Sequence, residues 1–286
     1  RYRKLGGKIH FNSRVSKILT AAGKAADSVT GIVTENGASH AADIVVSAGD
    51  AHAALKELLA DKYTHKGLER YFTQIDTFSS LVFVAFGVNM PLTNQPDALL
   101  LAFDPPLQLD SESRVNDVQV RIHSFDPTLA PEGKTVVSAM LPTRTYKHWQ
   151  WLRERSTEMY EAEKQRIADA LIDRITLEIP GFKAAVELVD VATPATFIDF
   201  THNWKGSFEG WLATPQTGMG DLEQTLPGLE DFYMCGHWLS PGGGLPSALH
   251  TARDVAQLIC HNDERPFQIL PPERKATAVE VPEVSG

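Results

Sequence analysis

Near the end of the chain, Gly236-His237-Trp238-Leu239-Ser240-Pro241-Gly242-Gly243-Gly244-Leu245-Pro246 joins a short apolar run, residues 232–235, to a segment of helical periodicity. A strand that stops at a glycine and re-enters a helix through three consecutive glycines presents unpaired backbone N–H groups and the positive end of the helix dipole. Glycines carry no side chain to hold a ligand away from that backbone. The chemistry suited to this stretch is the binding of an anionic or electron-rich group. The plainer alternative is that Gly242, Gly243 and Gly244 are only a flexible connection, and the stretch alone leaves the two open.

The elements that position this turn follow from the pattern around it. Downstream, Leu245, Ala248, Leu249, Ala252, Val255, Ala256 and Ile259 recur at helical spacing and predict one apolar face. Pro246 suits the first helical turn, where a missing N–H costs nothing. A second strand-turn-helix unit lies early in the chain. Residues 43–49 read as a buried strand ending at Ala48-Gly49, and Asp50 is placed to cap a helix over 51–60. Before it, residues 8–11 and 13–19 read as short strands, 29–34 as a third, and Glu35-Asn36-Gly37 as a hairpin turn.

From residue 78 the character changes. The runs 78–88, 98–103, 117–122 and 135–141 predict successive strands without intervening helices, hence an antiparallel or mixed sheet. Residues 104–116, rich in proline and acid, read as a loop. Residues 146–155 are cationic and aromatic, which fits either an interfacial patch or a helix start packing its tryptophans on the sheet. Tyr160, Ile167, Ala168, Leu171, Ile172, Ile175 and Ile179 mark one face of a long helix that Pro180-Gly181 ends. Residues 186–192 are strand-like, and 265–286 read as a tail with little structure.

Composition removes several classes. At 286 residues and 43% hydrophobic the chain can bury a large core, in one domain or two. A net charge of -9 opposes nucleic-acid binding, which calls for a basic face. Two cysteines, Cys235 and Cys260, make no disulfide framework, read as small apolar core residues and suit a reducing compartment. No run reaches the roughly 18 apolar residues of a spanning helix. The ten histidines show no His-x-x-x-His pair, there is no Cys-x-x-Cys, and no Gly-x-Ser-x-Gly elbow marks a hydrolase. No metal site and no catalytic side chain is expected. The chain opens on Arg1 and reads as cut from something longer.

The closing pattern of strand, glycine, Pro-Gly-Gly-Gly turn and helix resembles the FAD-dependent oxidoreductases of the phytoene desaturase, carotenoid isomerase and retinol saturase group. Two other segments agree: Gly-Gly-x-Ile, Val-x-x-Ile and Ala-Asp-Ile-Val-Val-Ser-Ala-Gly-Asp over residues 6–50, and Thr-Pro-x-Thr with Asn-Trp-x-Gly…Gly-Trp over 193–211. The resemblance implies FAD as cofactor, with the backbone of Val15 at its adenine end and Ala48-Gly49 closing over it. Gly236, His237, Pro241 to Gly244, Leu245 and Pro246 would lie against the flavin ring and ribityl chain. His237 departs from relatives that carry an acidic residue after the glycine.

The implied fold is α/β with α+β character. Residues 1–75 and 212–264 would form part of a three-layer FAD/NAD(P)-binding domain, 76–211 a substrate domain on a mixed or antiparallel sheet, and 265–286 a tail. The Gly-x-Gly-x-x-Gly unit that opens such folds has no match here, since Gly218-Met219-Gly220 lacks the third glycine and a preceding strand. An N-terminal dinucleotide-binding segment, on the same protein or another chain, is therefore an expected partner. The implied reaction is hydride transfer between flavin and a long apolar, carotenoid- or retinoid-like substrate, in the cytoplasm with peripheral membrane contact. Two alternatives stay open: an amine-oxidase-type enzyme with Trp204 and Trp211 as an aromatic cage, and a non-catalytic lipid- or protein-binding module on the same scaffold.

Overall fold

The computed structural model describes residues 1–218 and 220–269. Met219 and 270–286, most of the expected tail, lie outside the described residues. Two sheets dominate, each with its own apolar core.

The first sheet draws on both ends of the chain. Strands β1 (Val15–Ala21), β2 (Asp27–Thr34) and β3 (Ser39–Ala41) form an antiparallel meander, followed by β4 (Val45–Ser47). The Asn-Gly signal is used as expected: Gly37 adopts φ 83°, and the Asn36 Oδ1 accepts from the Ala38 N–H and the Thr34 hydroxyl. Residues 8–11, expected as a strand, are irregular, and Ile9 and Phe11 are exposed; alternation cannot make a strand where no neighbour supplies a ladder. After β4 the chain winds one π-helical stretch, Ala53–Leu58, then α1 (Lys66–Gln74).

The second sheet is antiparallel throughout. It comprises β5 (Ser80–Val88), β6 (Ala98–Gln108), β7 (Arg114–Ile122), β8 (Thr135–Thr143) and β9 (Val186–Ala192), ordered β6-β7-β8-β5-β9. The unbroken apolar run of β5 reflects a central strand, whereas β7 buries Val115, Val118, Val120 and Ile122 and turns its polar residues out. The expected 104–116 loop is shorter than its composition suggests. Strand β6 continues through Pro105-Pro106, which sit in an irregularity between Ala102 and Leu107 where no ladder donor is needed.

Helices α2 (Tyr146–Arg155) and α3 (Thr157–Glu178) cover that sheet, and a single turn, α4 (Phe182–Ala185), leads into β9. All seven predicted face residues of α3 and its end are buried. The aromatic patch on α2 divides: Trp149 is wholly buried, while Trp151 is about half exposed at 51%. Thr193-Pro194-Ala195-Thr196 opens a helix, α5 (Pro194–Thr201), through a reciprocal Thr193/Thr196 capping box.

The chain then returns to the first sheet through β10 (Thr225–Leu226) and β11 (Leu229–Met234), and ends in α6 (Gly244–Asn262). Strand β11 runs parallel to both β2 and β4, making the first sheet mixed. The periodicity of α6 is present but its burial is only partial. Val255 and Thr251 are buried, whereas Leu245 is 80% and Leu249 72% exposed. Spacing fixes which residues share a face; only a neighbouring layer can cover it, and among the described residues none lies over these leucines. Likewise β4 pairs with β11 alone among the described residues. Cys235 is buried, Cys260 half-buried, and both are free thiols.

Candidate functional site

The two strand-turn-helix units identified in the sequence meet side by side. Parallel pairing of β4 with β11 sets Ser47 opposite Met234, and the Cys235 N–H donates to the Ser47 carbonyl at 3.0 Å. The turns that follow these strands, Ala48-Gly49 and Gly236, therefore lie at the same end of the sheet, 187 residues apart in sequence. A Cβ on Gly236 would stand 3.3 Å from the Ala48 carbonyl oxygen.

A cavity of about 690 Å³ opens beside the first of these turns, within the range of small-molecule and cofactor sites. Its walls include Val15, Ala48 and Gly49, three of the residues singled out from sequence. A Cβ added to Gly49 would meet no protein atom within 4 Å, so the backbone there faces open space. The other predicted cofactor residues, from Gly236 to Pro246, do not line this cavity; Gly236 approaches its wall at the Ala48 carbonyl, and Gly243 and Gly244 lie against Glu209.

At the closing turn, the need for glycine has a local cause. Gly243 adopts φ 59°, ψ -157°, a region open essentially to glycine alone, and a Cβ there would lie 1.9 Å from the Glu209 carbonyl oxygen. The Gly242 N–H donates to the Trp211 carbonyl at 3.0 Å. The triple glycine thus lets the closing turn press against the 207–211 loop. Beyond it α6 begins with no side-chain cap, leaving its first-turn N–H groups to water or a ligand.

His237 forms a 3₁₀ turn with Trp238 and Leu239, and its Nε2 is buried without a protein partner. Burial holds this imidazole below its ordinary pKa of 6.5, so it is neutral at neutral pH, with one ring N–H to donate and one nitrogen to accept. An orphaned buried polar atom and a Cβ-free backbone facing a cavity are the features expected of residues shaped around an absent group.

Trp204 and Trp211 belong to an aromatic cluster. Trp211 is wholly buried and donates its indole N–H to the Trp238 carbonyl at 2.9 Å. Trp204 stacks on His52 at 5.0 Å and 9°, with the Lys205 ammonium 4.0 Å from its ring centroid. Phe72 packs edge-on to Trp204 and against Trp211. These rings brace the 203–211 segment against α1.

One residue that sequence reasoning passed over, and a second contact made by one it had named only as a helix cap, hold the site together. Thr251, wholly buried on α6, accepts from the Gly236 N–H at 2.9 Å and donates to the Ser247 carbonyl at 2.9 Å. A lone buried polar residue amid an apolar helical face was its only signal. Asp50 caps the following helix as expected, accepting from the Ala53 N–H at 2.7 Å, and also accepts from the Trp204 N–H at 2.7 Å. Separately, the fold brings Asp221 to His250 and Asp254 on the surface, at 2.8 and 3.4 Å from the imidazole Nε2, a cluster of exposed imidazole–carboxylate contacts.

A family model described as flavin containing amine oxidoreductase matches residues 2–260. A 4,4'-diapophytoene desaturase (4,4'-diapolycopene-forming) of Methylomonas sp is 24% identical over 268 residues, 89% of this chain and 49% of its own length. A phytoene desaturase (lycopene-forming) of Pseudescherichia vulneris is 24% identical over 267 residues, 89% of this chain and 52% of its own. Among solved structures, an oxidoreductase from Methanosarcina mazei superposes with a TM-score of 0.51 at 20% identity, over 88% of this chain and 51% of that one, a likeness of fold. The chain spans about half the length of these relatives.

Proposed function

We propose, from the fact that this chain belongs to the flavin-containing amine oxidoreductase family, whose cofactor is FAD, that it supplies the flavin-side half of an oxidoreductase related to the carotenoid desaturases. The observation that carries this reading is the meeting of Ala48-Gly49 and Gly236 at one sheet end, beside a cavity whose wall at Gly49 is bare backbone. Val15, Ala48 and Gly49 would hold one part of the cofactor. Gly236, His237, Pro241, Gly242, Gly243, Gly244, Leu245 and Pro246 would hold another. When bound, the flavin supplies hydride chemistry, accepting or returning two electrons.

The chain's own contribution is positional and electrostatic. The uncapped start of α6 favours negative charge by about 0.3 to 2 kcal/mol, and neutral His237 can donate one hydrogen bond without adding a charge. The substrate proposed is a long apolar molecule of the carotenoid or retinoid kind, received by the sheet and helices within 76–211. That assignment rests on the names of the desaturase relatives.

The proposal extends to a partner. The edge of β4 that is unpaired among the described residues, and the exposed Leu245 and Leu249 of α6, fit an N-terminal dinucleotide-binding segment, on the same protein or another chain. Among the described residues no helix is long and apolar enough to cross a membrane; any membrane contact is proposed as peripheral.

The test is FAD binding by the purified full-length protein, with its dinucleotide-binding segment present, read from the visible spectrum and from quenching of flavin fluorescence, in wild type and in Gly49→Ala. The added methyl meets no protein atom, so the fold is unchanged and flavin binding weakens. Unaltered binding in Gly49→Ala would remove this turn from the site, and a colourless protein that takes up no FAD would sink the reading.

A further inference from the structure

Every residue lining the cavity comes from positions 14–58 except two, Thr201 and His202, which close it from the far end of α5. That second wall must be held against the first across about 150 residues of intervening chain. His202 adopts φ 54°, a left-handed conformation that ends α5 and turns the backbone toward Asn203 and Trp204. The Trp204 N–H then points at a carboxylate from the opposite wall.

We propose that Asp50 is a positioning residue that clamps the two walls of the cavity together. One carboxylate oxygen fixes the start of the helix after β4 through the Ala53 N–H, and the other fixes the His202–Trp204 turn through the Trp204 N–H, both at 2.7 Å. Asp50 is 5% exposed, so these bonds are shielded from competition by water. The clamp has a second jaw. His52, two residues on, stacks face to face on the Trp204 ring, so a single turn grips both the backbone and the side chain of Trp204.

An Asp serving only as a helix cap would need one oxygen and would sit at the surface, where Ser, Thr or Asn would do as well. A buried carboxylate is retained here although burial disfavours its charge and pushes its pKa up to about 6. The Glu57 charge on its own helix adds to that rise, and the Trp204, Ala53 and His52 N–H groups oppose it. His52 beside it, and His202 and Lys205 flanking Trp204 across the contact, are the other titratable groups nearby. Cofactor seating in the cavity rests on the reading above; the clamp itself does not.

The test separates the two by comparing Asp50→Ser and Asp50→Asn with wild type. Serine keeps the local cap to the Ala53 N–H but is too short to reach Trp204, and asparagine keeps one acceptor only. Amide hydrogen exchange is read at Ala53 and Trp204, and FAD affinity by quenching of flavin fluorescence. In Asp50→Ser, Trp204 exchange accelerates about 10- to 100-fold, the factor a hydrogen bond to a charged group is worth, while Ala53 stays protected.

Unchanged Trp204 exchange in a folded Asp50→Ser protein overturns the clamp. Faster exchange with weakened FAD binding supports it and its service to the cofactor, whereas faster exchange with unaltered FAD affinity overturns that service. Should wild type itself bind no FAD, the flavin reading fails and the exchange data alone decide whether the two walls are clamped.

Discussion

Thr251→Val isolates the contact on which the geometry of the closing turn depends. The substitution preserves shape and β-branching, so neither helix propensity nor packing volume changes much. What disappears is the hydroxyl that accepts from the Gly236 N–H at 2.9 Å, in a place where Thr251 is wholly buried and Gly236 is buried beside it. A buried N–H left without an acceptor costs about 1–3 kcal/mol. The lost donation to the Ser247 carbonyl adds little, because that oxygen is already placed to accept a helical bond.

The expected outcome is therefore a loss of about 1–3 kcal/mol in guanidinium unfolding followed by tryptophan fluorescence, with faster amide exchange at Gly236. Thr251→Ser is the control: it keeps the hydroxyl and removes one methyl, costing about 1 kcal/mol, with Gly236 still protected. A Thr251→Val protein as stable as wild type, or one whose Gly236 amide exchanges no faster, would refute the assignment of this hydroxyl as the anchor of α6.

Gly243→Ala drives a methyl to 1.9 Å from the Glu209 carbonyl at a backbone conformation foreign to alanine, and should cost about 3 kcal/mol or more in chemical denaturation, where Gly49→Ala stays within about 0.5 kcal/mol. Asp50, with a folded-state pKa raised from 3.8 to about 6, stabilises the folded state relative to higher pH only while protonated. Its contribution is fully present below about 3.8 and is lost as pH rises through 6, a change of about 3 kcal/mol. The stability difference between Asp50→Asn and wild type, followed from pH 4 to 7, should therefore move in favour of the variant; a flat difference would contradict the buried carboxylate. Trp211→Ala should cost about 3–5 kcal/mol as a core truncation, and Trp204→Ala less, since Trp204 is only part-buried. Equal and small losses would instead mark both rings as an open cage.

Much of the architecture could be read without coordinates because it depends on local pattern. The six buried positions of α3 and Ile179 at its end follow from 3.6-residue spacing, β5 and β7 announce a central strand and a one-faced strand by continuous and alternating apolarity, and Asn36-Gly37 specifies its turn through local backbone conformation and the Asn36 side chain. The same logic located the two strand-glycine-helix units. It failed where burial depends on a neighbour: residues 8–11 alternate yet have no partner strand among the described residues, and the apolar face of α6 is covered at Val255 yet exposed at Leu245 and Leu249. It also failed at Pro105-Pro106, where a bulge accommodates residues that composition assigns to a loop.

By itself the sequence determined which segments become strand, turn or helix, and its motifs carry the family to which the chain belongs. Only the tertiary structure decided that Ala48-Gly49 and Gly236 stand side by side, that Gly243 is required by the Glu209 carbonyl, and that Asp50 and Thr251 tie distant turns together. The physical reason is that periodicity and propensity act over a few residues, whereas parallel pairing, close backbone approach and the satisfaction of buried N–H groups join positions that no local pattern relates.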